Sequence, residues 1–73
     1  MQIRLLSCDG VRPDRRAIAR AFEEYALLSP ADAREQTEFL LEGSEIVLDV
    51  DDAHQSSAFR AFRKHQIEYE MVE

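Results

Sequence analysis

Glycine, proline, cysteine and positive charge are all in short supply in this 73-residue chain, which has two glycines, two prolines, one cysteine and no tryptophan. With only Gly10 and Gly43, no phosphate-cradling glycine loop can be assembled. A single cysteine, Cys8, excludes an internal disulfide and points to a reducing, cytoplasmic setting. No stretch approaches the ~18 apolar residues of a membrane span, and Met1-Gln2-Ile3-Arg4 does not read as a signal peptide, so no membrane association is expected. Nine basic residues stand against 15 acidic ones, a formal net charge of −6. Nucleic-acid binders need a positive field to displace counterions from phosphates, so no nucleic-acid partner is expected. The same acidity favours solubility or a basic partner.

What is present is enough for one small folded domain, residues 1–73. Hydrophobic residues make up 45% and charged residues 33%, a globular balance. A chain of this length buries only about 60% of its unfolded surface, leaving a thin core and little room for a deep catalytic pocket.

"QIRLLS", Gln2 to Ser7, alternates around Ile3 and Leu5 and reads as a strand. Asp9-Gly10 signals a turn. Pro13 suits the first position of a helix, and Ile18, Ala21, Phe22 and Tyr25 recur on one helical face, predicting a helix from Pro13 to Leu27. Ser29-Pro30 restarts a helix: Ser29 as N-cap, Pro30 at the first position and Asp32 near the positive end of the dipole. Ala33, Thr37, Leu40 and Leu41 form its narrow apolar stripe, and Gly43 is its stop. Because Pro30 disfavours helical geometry at Ser29, the two helices meet at an angle, as an elbow.

"EIVLDV", Glu45 to Val50, is a second strand. Asp51 or Asp52 caps a third helix with Ala58, Phe59 and Phe62 on its inner face. "IEYEMV", Ile67 to Val72, alternates as a last strand with Ile67, Tyr69 and Met71 inward. The expected fold is α+β, in the order β-α-α-β-α-β, with a three-stranded antiparallel or mixed sheet covered on one face by helices.

Chemistry is weakly represented. A nucleophilic Cys8 would need a base within hydrogen-bond reach, and His54 and His65 lie far along the chain without an orienting partner. Those histidines stand about three helical turns apart, too far to share a metal. Asp49, Asp51 and Asp52 lack the glycine and closing glutamate of a calcium loop, and helix capping accounts for them. Arg15, Arg16, Arg20, Arg60, Arg63 and Lys64 read as solvated helix surface, with pairs such as Arg20–Glu24 contributing about 0.2–0.5 kcal/mol. No catalytic residue, metal or cofactor is expected, and the chain is not expected to be an enzyme. Leu27 and Leu28, beside Pro30, are the better clue: two bulky apolar residues occupy a connection that is usually polar. Since the first helix already supplies Ile18, Phe22 and Tyr25 to the core, at least one leucine is expected at the surface, where an apolar spot ringed by charge suits a protein partner.

The order of elements and the run "SPADAREQTEFLLEGSEIVLDVDDAHQSSAFRAFRKHQIEYEMVE" resemble the C-terminal domain of the bacterial ribosomal stalk protein, whose fold is shared by the ClpS protease adaptor. Ala31 to Glu38 occupy the places of the stalk family's Lys-Glu-Ala-Lys-Glu-Leu-Val-Glu type run, and Ala58 to Glu73 match its ending of charged helix and alternating strand. The resemblance implies an adaptor-like module that binds another protein through the elbow or through the loop after the first strand, and the expected function is a non-enzymatic interaction module that docks its partner at the elbow or a sheet edge. Arg34 keeps one positive charge at the elbow, and Asp9 is the one match to the adaptor's acidic run. Leu27, Leu28, Arg34 and Asp9 are therefore the expected partner-binding residues. The alternative is a homodimer formed through the last strand, Ile67 to Val72, at a sheet edge.

Overall fold

The computed structural model describes residues 1–72. Glu73, the last residue of the stretch matched to the stalk ending, lies outside them. The elements are strand β1 (Gln2–Cys8), helices α1 (Arg15–Tyr25) and α2 (Pro30–Leu41), strand β2 (Ile46–Asp49), a 3-10 turn (Asp52–His54), helix α3 (Gln55–Lys64) and strand β3 (Ile67–Met71). The expected α+β order is present. The sheet runs β2-β1-β3, with β1 central and antiparallel to both neighbours. The two edge strands therefore run parallel to each other, and α3 carries the chain across β1 from one edge to the other.

Alternation sorts β1. Ile3 and Leu5 are fully buried under the helices, while Gln2 is exposed on the uncovered face. There the Arg4 guanidinium donates to Glu70 Oε1 at 2.7 Å. Between Leu5 and Ser7 the pairing with β3 slips by one residue. This bulge reverses the phase of the strand: Ser7 comes opposite exposed Glu68, and Cys8 comes opposite buried Ile67.

The helix starts follow cap chemistry. The Asp14 carboxylate accepts from Ala17 N–H at 3.0 Å, so α1 begins at Arg15 and not at Pro13. An aspartate just after the proline supplies a better cap than the proline supplies a first residue. Ser29 Oγ accepts from Asp32 N–H at 3.2 Å and Pro30 opens α2, as expected. Asp51 caps the 3-10 turn, accepting from Ala53 N–H at 3.0 Å, and α3 follows without a side-chain cap of its own.

The stop of α2 is a Schellman motif: Gly43 N–H donates to Leu40 C=O at 3.1 Å and Ser44 N–H to Phe39 C=O at 3.0 Å. Gly43 has φ +96°, and a Cβ there would meet nothing within 4 Å. The penalty for a side chain is thus conformational. We expect Gly43→Ala to lose about 1 kcal/mol, as the left-handed penalty outweighs alanine's smaller unfolded-state entropy. A urea titration followed by circular dichroism measures this.

The core holds Phe22 of α1 and Phe62 of α3 edge to face, with ring centroids 6.5 Å apart. Phe62 also meets Tyr69 of β3 at 5.6 Å, and Phe59 stacks on the same tyrosine at 5.0 Å. From α2 come Ala33, Thr37 and Leu40. The Thr37 hydroxyl donates to Ala33 C=O at 2.7 Å, so the one buried polar side chain among the described residues is satisfied. Met71 corrects the sequence expectation: it is 56% exposed. It ends an edge strand two residues past the Phe59–Tyr69 stack.

Candidate functional site

The elbow is a break of four residues, Ala26 to Ser29, between α1 and α2. It is anchored from below, where Tyr25 C=O accepts from Asp51 N–H at 3.1 Å. Ala26 is buried, and Leu28 is half-buried against the core. Leu27 is different. Its side chain is 71% exposed and its backbone is left-handed, φ +55°. This position, just past the C-cap of α1, is where glycine is favoured, and a leucine there costs roughly 1–2 kcal/mol. It also ends α1 at Tyr25, two residues before the expected Leu27.

Arg34 is exposed on α2, one turn beyond exposed Pro30, and shares the elbow end of the molecule. Asp9 does not. Val50 N–H donates to Met1 C=O, so the elbow, Val50 and the start of β1 lie together. Asp9 N–H donates to Gln66 C=O at the other end of β1. At about 3.3 Å per residue the strand separates the two ends by roughly 20 Å. Leu27, Leu28 and Arg34 therefore lie toward one end of the molecule, and Asp9, whose carboxylate accepts from Ser7 Oγ at 3.2 Å, lies toward the other.

The Cys8 thiol donates to the backbone carbonyl of His65 at 3.4 Å, which occupies it with an acceptor unable to take its proton. Among the described residues no group of three His, Cys, Asp or Glu side chains is placed to hold a metal, and no helix is long and apolar enough to cross a membrane. Asp49 and Asp52 flank the Met1 ammonium at 3.3 and 3.4 Å. The hydrogen bond to Asp49, followed by that to Asp52, holds its pKa above the ordinary value.

A second surface went unread in the sequence. Below, Phe22 and Phe62 hold α1 and α3 together. Above them the facing residues are small, Ala17 and Ala21 on α1, Ser57 and Ala61 on α3, and the gap they leave is an open groove of about 340 Å³. Arg20 and Glu24 edge it from α1, and Arg60 and Lys64 from α3. Tyr25 stands at the elbow end, beside the His54 ring at 6.2 Å. At the far end, Lys64 and His65 also line a neighbouring hollow bounded by Val11 and Arg12. The expected Arg20–Glu24 ion pair is absent among the described residues, where the paired cations are the Met1 ammonium, Arg4 and Arg15. The available signal was alanine and serine at four-residue spacing on both helices, which matters only once the two helices are known to be neighbours.

No protein-family model matches this chain, and no curated protein or solved structure matches it.

Proposed function

We propose that the chain is a non-enzymatic, adaptor-like module of the cytoplasm that docks a protein partner at the helix elbow, with Leu27 as the anchor and Leu28 and Arg34 beside it. One observation carries this reading: an apolar side chain is held out into solvent on a left-handed backbone where glycine would be less strained. Strain kept at an exposed position is accounted for when the side chain has work to do there. Kinship with the stalk domain and the protease adaptors belongs to the same proposal. Its support is the β-α-α-β-α-β order and the break at Ser29-Pro30.

Leu27→Gly separates binding from folding. Relief of the left-handed penalty, partly offset by glycine's extra unfolded entropy, is expected to stabilise the chain by up to about 1 kcal/mol, a rise in Tm of several degrees. Partner binding should fall at the same time, since an anchor residue typically contributes about 2 kcal/mol or more. A variant that melts lower and binds normally would make Leu27 a structural residue.

The alternative, a homodimer through β3, draws on that strand's edge position and the exposure of Met71. Charge opposes it. Antiparallel pairing about a two-fold axis at Tyr69 would set Glu68 of each copy against Glu70 of the other, and directly opposed like charges destabilise a sheet. Sedimentation at micromolar concentration is expected to show a concentration-independent monomer, and a dimer would favour the alternative.

A further inference from the structure

We infer that the groove between α1 and α3 is a second docking site, independent of the elbow, and that its occupant is an acidic helical segment of a partner protein. The groove concentrates positive charge on a molecule that is otherwise acidic: Arg20, Arg60 and Lys64 edge it against one carboxylate, Glu24, while the chain as a whole carries −6. Among the described residues none of these three cations is committed to an ion pair within the fold. Charge complementarity therefore selects an acidic partner.

The shape selects a helix. Two neighbouring helices with an alanine and serine floor present a furrow, and side-chain ridges of a third helix pack into such furrows. Small floor residues let its backbone approach closely. Glu24 lies toward the Tyr25 end of α1, so the partner's acidic residues are expected to gather at the opposite end, over Arg20 and Lys64. The furrow continues there, past Lys64 and His65, to Val11, whose side chain is 95% exposed and offers an apolar contact at the limit of the track.

The test is a titration of the isotopically labelled chain with a synthetic helical peptide of about 14 residues, four turns long. The peptide carries a leucine and alanine stripe flanked by glutamates, and a twin carries lysines in their place. Saturable amide shifts are expected at Ala17, Ala21, Ser57 and Ala61 with the acidic peptide and not with the twin, and added salt should weaken them. The double variant Arg60→Glu/Lys64→Glu is expected to bind at least about tenfold more weakly. Arg20→Gln gives a milder version of the same loss should the double variant fold poorly. Leu27→Gly should leave this binding unchanged, so the groove and the elbow stand or fall separately. Equal binding of the twin, shifts centred on Leu27, unaltered affinity in both groove variants, or the same shifts arising from self-association without peptide would each overturn the inference.

Discussion

Phe62→Ala is expected to lose about 3–5 kcal/mol, the range for removing a fully buried phenylalanine ring. A 73-residue domain has roughly 4–11 kcal/mol in total, so the variant should sit near its unfolding midpoint on mild heating. The expectation is at the upper end because of what the ring joins. Phe62 is 1% exposed, meets Phe22 edge to face and tilts against Tyr69, tying α1, α3 and β3 at one point. Phe22 and Tyr69 would line the resulting cavity, and stacked or edge-paired rings collapse poorly into such a space. Urea denaturation followed at the helical circular dichroism band gives the number. A loss below about 1 kcal/mol would mean that the helices are held to the sheet by something other than this aromatic contact.

Leu40→Ala is expected to lose about 2–5 kcal/mol and to do so unevenly across the molecule. Helix α2 buries only Ala33, Thr37 and Leu40, and Leu40 is the one large side chain among them. Few buried contacts make an element the first to open. The amides of α2 should therefore lose hydrogen-exchange protection at low denaturant while those of α1 and β1 keep theirs. Uniform loss across all elements would show α2 to be part of one cooperative unit with the rest. The outcome bears on function, because the elbow is fixed in space by α2 on one side.

The parts of the fold legible in the sequence are those set by local chemistry. Ile3 and Leu5 alternate with Gln2 and Arg4 and form the central strand. Ser29-Pro30 and Gly43 delimit α2 as cap preferences predict. Where two local signals competed, as at Pro13 and Asp14, the side chain able to accept a hydrogen bond set the boundary. The bulge at Leu5 to Ser7 and the exposure of Met71 depend on how strands register and where helices end over the sheet, which no window of sequence contains. The left-handed backbones of Leu27 and Gln66, φ +55° and +57°, were hidden because neither residue is a glycine or asparagine.

The candidate sites divide the same way. That one elbow leucine would stay outside follows from how many apolar residues α1 already supplies, and it is Leu27 that does. Separation of Asp9 from the elbow needs the direction of β1 relative to both helices. The groove needs more still: Ala17 and Ala21 come to face Ser57 and Ala61 across some forty residues of chain only because α3 crosses β1 and lies down beside α1.

Gln66 supplies the control for the central claim, since Gln66→Gly relieves a left-handed residue at the end of α3, away from the elbow. Parallel affinity capture from native extract with the unaltered chain, Leu27→Gly and Gln66→Gly, all three verified as folded, tests the elbow most directly. A partner is expected to be retained by the unaltered chain and by Gln66→Gly and lost from Leu27→Gly. Identical proteins held by all three would contradict it.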